Sequence, residues 1–335
     1  MKKIASSLSS SVSGSLSRRQ FVRDAAFLTG AASATLVAGA ESGGSGGGGA
    51  GDGTLAPLKA PVGTLPMGKI GNLEFSRLML GGNLISGYAH SRDLRYVAPL
   101  MRHYNTESKI LETLEIAESL GINSINLAAW DDSSFLQKHW KRGGKMKWIA
   151  QSLPGDHGDL TPFKKAVDLG ACAVHIQGHG SERLIDENRV EEIGRIVNYI
   201  REQKAVAGVA AHSLDVVVRC EKAGVNPDFY QKTLHTLDYY TAPRPDEKGF
   251  LGSHDNSWCN NPDEVADVMF NLKRPWIAFK VMAAGAIPPQ KGFQYAFDSG
   301  ADFVLAGMFD FQIAENVEIL KSVLGRVNRT RPWIG

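Results

Sequence analysis

From position 77 onward, short apolar runs alternate with amphipathic stretches. The runs are residues 77–82, 122–127, 146–151, 171–177, 205–211, 228–234, 275–281 and 301–307. Each is shorter than a buried helix and bounded by turn residues, so eight strands are expected. The stretches between them carry helical spacing. In 106–120, Ile110, Leu114 and Ala117 share one face, with Thr106 placed to cap the helix and Gly121 to stop it. In 188–204, Val190, Ile193, Val197 and Ile200 do the same, and 314–324 repeats the pattern with Val317, Leu320 and Leu324. Near-continuously apolar strands, each followed by a helix, describe a (β/α)8 TIM barrel with right-handed crossovers. The competing arrangement, a doubly wound open sheet, usually has fewer strands and a GxGxxG turn after the first. No such turn is present.

Two stretches break the repeat. Residues 83–105 form a long connection after the first strand, carrying Tyr88, His90, Arg92, Asp93, Arg95, His103 and Tyr104. Residues 235–262 form another after the sixth, with Tyr239, Tyr240, His254, Trp258 and Cys259. Both leave C-terminal strand ends, the face where barrel enzymes build their sites, so both are expected to be binding walls or lids.

The N-terminal region reads differently. Ser17-Arg18-Arg19-Gln20-Phe21-Val22-Arg23, followed by a mildly apolar run over 25–40 that closes in Ala38-Gly39-Ala40, resembles a bacterial twin-arginine export signal. That resemblance implies recognition by the twin-arginine export machinery, folding before export, and a periplasmic or extracellular destination. The run is too short and too rich in small residues to span a membrane, and no later stretch qualifies, so no span is expected in the mature protein. Residues 41–54 are dominated by glycine and read as a flexible linker. The organisation expected is therefore a signal peptide over 1–40, a linker over 41–54 and one barrel domain over 55–335.

Losing residues 1–40 would take the formal net charge from +2 to −2. Such a chain has nothing to attract a phosphate backbone, which excludes nucleic acid as an expected partner. The three cysteines, Cys172, Cys220 and Cys259, are far apart and suggest no disulfide framework.

Candidate chemistry lies at the strand tips. Asn83, Asn126, Gln151, Gln177, Lys232 and Trp258 are expected to bind a small-molecule substrate. His175, His212 and His235 follow successive strands and form a candidate metal set, because neutral imidazole suits borderline cations. His175 and His212 are also candidate acid–base catalysts. Lys280 sits in an otherwise apolar strand. If it faces the barrel interior, its lowered pKa would make it a base or an amine nucleophile; if it faces outward, it is structural. Residues 283–287, with Gly300, Gly307 and Met308, are similar to the phosphate cradle of many barrels. This makes Gly285, Gly307 and Met308 candidate cofactor contacts.

The domain opening, Met67-Gly68-Lys69-Ile70-Gly71-Asn72-Leu73-Glu74-Phe75-Ser76-Arg77-Leu78-Met79-Leu80-Gly81-Gly82, resembles the start of the aldo/keto reductase family. Gly121-Ile122-Asn123-Ser124-Ile125-Asn126 resembles the family's second strand, and 293–317 resembles its closing strand and helix. The resemblance implies a floor-plugging hairpin, the (β/α)8 barrel and nicotinamide-dependent carbonyl reduction by an Asp, Tyr, Lys and His. The chain departs from that catalytic pattern. Asn126 stands at the aspartate position and Gln151 at the lysine position, while Trp130, Asp131 and Asp132 follow the second strand with no tyrosine.

An exported protein also lacks a soluble nicotinamide pool, so a nucleotide cofactor would have to be tightly held. The expectation is an exported, aldo/keto-reductase-like oxidoreductase scaffold acting on a small carbonyl or sugar-like substrate without the usual catalytic groups. A metal- or lysine-dependent lyase, isomerase or hydrolase and a non-catalytic binding protein remain open alternatives.

Overall fold

A computed structural model describes residues 64–244 and 255–335. The expected signal peptide, the linker, the first residues of the barrel domain and His254 lie outside the described residues. Among those described, no helix is long and apolar enough to cross a membrane.

The chain opens with a hairpin of β1 (Met67–Ile70) and β2 (Leu73–Ser76). Ile70 pairs with Leu73 across Gly71-Asn72, and Gly71 has φ +60°, as the first central residue of a type II′ turn requires. Eight parallel strands then close into a barrel: β3 (Leu78–Gly81), β4 (Ser124–Ala128), β5 (Lys147–Ser152), β6 (Ala171–Ile176), β7 (Val206–Ala211), β8 (Phe229–Thr233), β9 (Trp276–Phe279) and β10 (Phe303–Gly307). The ring is completed by β10 pairing with β3. Each expected strand lies where its apolar run lies, with its ends shifted by at most two residues. This is the (β/α)8 barrel that the apolar spacing predicts.

Two apolar layers result. Leu78, Leu80, Ile125, Trp148, Val174 and their equivalents pack outward against the helices. Ile70, Phe75, Met79, Ile149, Phe229 and Phe303 fill the interior, so the hairpin residues plug the floor. Beneath that plug, Asp302 is fully buried and accepts from Arg331 Nη1 at 2.7 Å and Arg329 Nη2 at 2.9 Å. Its carboxylate also takes the backbone amides of Trp276 and Ile334, each at 3.0 Å. A buried charge needs this density of partners to offset lost hydration.

The connection after β3 contains two helices, α1 (Asn83–Ser86) and α2 (Val97–Tyr104). Next comes α3 (Glu107–Ser119), where the Thr106 hydroxyl accepts from the Lys109 amide at 3.4 Å, as the cap expects. Around the remaining barrel run α4 (Ser134–Lys141), α5 (Thr161–Asp168), α6 (Gly178–Asp186), α7 (Val190–Glu202) and α8 (Leu214–Lys222). The last three are α9 (Pro262–Asn271), α10 (Pro289–Asp298) and α11 (Asp310–Leu324).

Candidate active site

The upper interior of the barrel is polar. Asn126 on β4 offers its amide nitrogen to His175 Nε2 at 2.9 Å and to Gln231 Oε1 at 3.0 Å. His175 Nδ1 meets the Ile176 carbonyl at 3.0 Å, which puts its proton on Nδ1 and leaves Nε2 to accept from Asn126. All three residues are buried, and they come from alternate strands β4, β6 and β8, as side-chain layers in such barrels do. Burial pushes His175 down to about 4, so the ring is neutral at ordinary pH. Both its nitrogens are occupied.

Above this layer, Trp258 from the β8–α9 connection is the centre of the mouth. Its ring lies 4.6 Å from that of His212 and 5.5 Å from those of His90 and His179. The Lys280 ammonium sits 4.2 Å from the Trp258 ring centroid, a cation–π arrangement. Lys280 Nζ also lies 2.7 Å from His90 Nε2, while His90 Nδ1 lies 3.1 Å from Asp255 Oδ1. The other carboxylate oxygen of Asp255 accepts the Arg92 amide at 2.7 Å. A continuous Asp255–His90–Lys280 chain results, assembled from both long connections and the end of β9.

Backbone conformation aims Lys280. Phe279 packs against the barrel interior, so a further strand residue would alternate to the helix side. Instead Lys280 has φ +58°, a left-handed conformation that turns the side chain over the mouth. Ala283, Ala284 and Gly285 follow at φ +44°, +56° and +90°. Such non-glycine backbone costs about 1–3 kcal/mol per residue and concentrates at functional sites. Burial pushes Lys280 from 10.5 down to about 7, against the opposing pull of Asp255 and Glu182. Burial, then the neighbouring Lys280, likewise lowers His90.

On the other side of Trp258, Glu182 binds two imidazoles. Its carboxylate lies 3.2 Å from His179 Nδ1 and 3.2 Å from His212 Nδ1. Oε1 also takes the amides of His212 at 2.6 Å and Ser213 at 2.8 Å. Burial alone would raise the Glu182 pKa, but these hydrogen bonds outweigh it and hold the group well below the usual carboxylate range. Burial lowers His212 to about 4. Gly178 is required here, because a Cβ at that position would stand 2.7 Å from the His212 ring.

The sequence-derived sites separate accordingly. His212, Lys280 and Trp258 meet at the mouth, while Asn126 and His175 lie beneath in the buried layer. The set His175, His212 and His235 does not converge on one ion. His235 Nε2 accepts the Trp258 amide at 2.9 Å and Nδ1 meets the Thr236 carbonyl at 3.0 Å, so neither nitrogen is free for a metal. Burial takes this ring to about 4 as well. Lys232 lies on the opposite face of β8 from Gln231, donating to the Thr233 hydroxyl at 2.9 Å and the Thr233 carbonyl at 3.0 Å. Burial lowers it to about 8.

Gln177 caps α6 through the Gly180 amide, Gln151 is the half-buried penultimate residue of β5, and Asn83 begins α1. The expected phosphate cradle is occupied by its own turn. The amides of Ala283, Gly285, Ala286 and Ile287 donate to Lys280, Met282, Ala283 and Met282 carbonyls respectively. Gly285 remains open, but Met308 is buried and Gly307 abuts Leu84. Anchoring of a nucleotide phosphate by these amides therefore does not fit.

The sequence shows His90 in the first long connection without assigning it a role, and its patterns give no part to His179, Glu182, Gln231 or Asp255. The available signal was His179-Gly180-Ser181-Glu182, whose i, i+3 spacing puts both side chains on one helix face.

No protein-family model and no curated protein matches the chain. Solved structures do. Two structures from Pseudomonas aeruginosa, each described as a putative aldo-keto reductase, superpose with a TM-score of 0.51. One is 18% identical and aligns over 78% of this chain and 97% of its own; the other is 17% identical, over 79% and 99%. At such identity the likeness establishes fold. At the strand tips where the resemblance in sequence implies an aspartate and a lysine, β4 and β5 carry Asn126 and Gln151. The fold is thus a closed (β/α)8 barrel similar to those two structures, and its mouth gathers Asp255, His90, Lys280, Trp258 and the His179, Glu182 and His212 cluster.

Proposed function

We propose that this protein is an enzyme acting on a small carbonyl or sugar-like compound, with Lys280 as its amine nucleophile. The observation that carries the proposal is the Asp255–His90–Lys280 chain, with Lys280 brought to about 7 by burial. A neutral imidazole at hydrogen-bond distance accepts the lysine proton, and Asp255 stabilises the imidazolium that forms. The free amine adds to the carbonyl carbon, forming a C–N bond as the carbonyl oxygen takes a proton from His90. Loss of water from that carbinolamine leaves an imine, which water later reverses.

Aromatic groups at the rim favour a sugar-like substrate. Tyr88 and Trp130 are exposed and linked through Trp130 Nε1 to Tyr88 Oη at 3.1 Å, while Tyr88 donates to Asp131 at 2.8 Å. The Arg18-Arg19 segment supports export by the twin-arginine route to a periplasmic or extracellular place of action. A lysine-dependent reaction needs no recyclable nicotinamide there.

Borohydride trapping with glycolaldehyde or glyceraldehyde is the test. The expected result is one reduced adduct per chain, mapped to Lys280, absent in Lys280→Met and slowed in His90→Ala. Adducts scattered over surface lysines, or none, would overturn the assignment.

A further inference from the structure

A second cluster lies across Trp258 from Lys280. His179 and Glu182 project from one face of α6, three residues apart, and His212 follows β7. Each offers one donor atom, and the three atoms all lie within 4.8 Å of one another. Donors around one tetrahedral zinc ion sit about 3.4 Å apart at the usual bond lengths of about 2.1 Å, so small side-chain rotations close the set.

Several features suit an ion. The carboxylate is preset, because the His212 and Ser213 amides fix Oε1 at 2.6 and 2.8 Å, while Oε2 lies 3.2 Å from His179 Nδ1 and 3.3 Å from His212 Nδ1. Positioning of ligands by backbone groups is the usual second layer of metal sites. The Trp258 ring walls both histidines, limiting their rotation. His179 is exposed on its outer side, which gives an ion and then a substrate oxygen a way in. Two imidazoles and a carboxylate make a mixed N/O donor set of borderline character, with coordination positions left over.

We propose that His179, Glu182 and His212 bind one divalent transition-metal ion of the zinc class at the barrel mouth, with an open position facing solvent. The proposal goes beyond the reading of Lys280 and does not depend on it. Such an ion would hold a carbonyl or hydroxyl oxygen of the ligand and withdraw charge from it as a Lewis acid.

Cobalt is the probe, since its visible absorption reports coordination without any assay of activity. The full chain is stripped with chelator and titrated with Co2+, then competed with Zn2+. One equivalent per chain, with bands between roughly 500 and 650 nm displaced by zinc, is the result expected of such mixed N/O ligation. Glu182→Gln keeps an oxygen acceptor for both backbone amides, and His179→Ala removes an exposed ring, so both variants should fold, as near-ultraviolet circular dichroism would verify. Each should weaken Co2+ binding by at least about tenfold, the lower range for disturbing a metal's surroundings. His157→Ala, an exposed histidine elsewhere, should bind as the parent does. Failure of the parent to take up an equivalent, or unchanged binding in Glu182→Gln and His179→Ala, would overturn the site. Lys280→Met should keep the cobalt spectrum while losing borohydride trapping, so failure of either reading is told apart from failure of the other.

Discussion

Replacing Lys280 by methionine should stabilise the fold below neutral pH and change how stability depends on pH. Burial at the mouth lowers this lysine from 10.5 to about 7. In the unfolded chain it titrates near 10.4, so between about pH 7 and pH 10 the unfolded state binds a proton that the folded state does not. Stability must therefore rise with pH across that window, by up to about 1.4 kcal/mol per unit, and flatten below and above it. The full window corresponds to at most about 4–5 kcal/mol; residual solvent at the mouth reduces this to about 2–3 kcal/mol.

Methionine keeps much of the apolar stem over Trp258 and leaves the left-handed backbone at φ +58° unchanged, so strain is common to both proteins. The assay is urea unfolding of parent and variant at half-unit steps from pH 6 to 10.5, read as the difference between the two curves. That difference also removes the contribution of Lys232, which burial lowers to about 8. The variant should be more stable at pH 6, with its advantage shrinking through the window. Parallel curves would refute the claim that Lys280 is held against its charged form.

Two further outcomes follow from the buried groups. Asn126→Leu strands His175 Nε2 and Gln231 Oε1 without a donor, and should cost about 2–4 kcal/mol in chemical denaturation. Asp302→Asn breaks the charge network under the floor and should cost about 3–5 kcal/mol, while leaving borohydride trapping of the folded fraction unchanged, because the network lies at the opposite end of the barrel from Lys280.

The strands were legible because each is buried on both sides and therefore apolar throughout, as in 171–176 and 206–211. Thr106 and Gly121 likewise announced one helix by local chemistry, with Gly121 at φ +92°. The site was legible only in parts. His212, Lys280 and Trp258 stood out by type and position, but their partners did not. Asp255 and His90 are 165 residues apart and meet only because two connections fold over the same rim. The aim of Lys280 depends on a left-handed backbone that no residue type at 280 announces, and strand alternation alone would have sent it outward. His235 looked like a ligand by position, yet the backbone of Trp258 already occupies its free nitrogen.

Among the described residues, the floor hairpin closes the lower end of the barrel. Ile70 and Phe75 stopper that end, so under the proposed imine chemistry substrate and product would exchange through the rim that carries His90, Asp255 and Trp258. Leaving product would cross the groups proposed to set the reactivity of Lys280, against incoming substrate. Product inhibition should therefore be competitive, and loosening the rim to speed departure would also wet the lysine and blunt it.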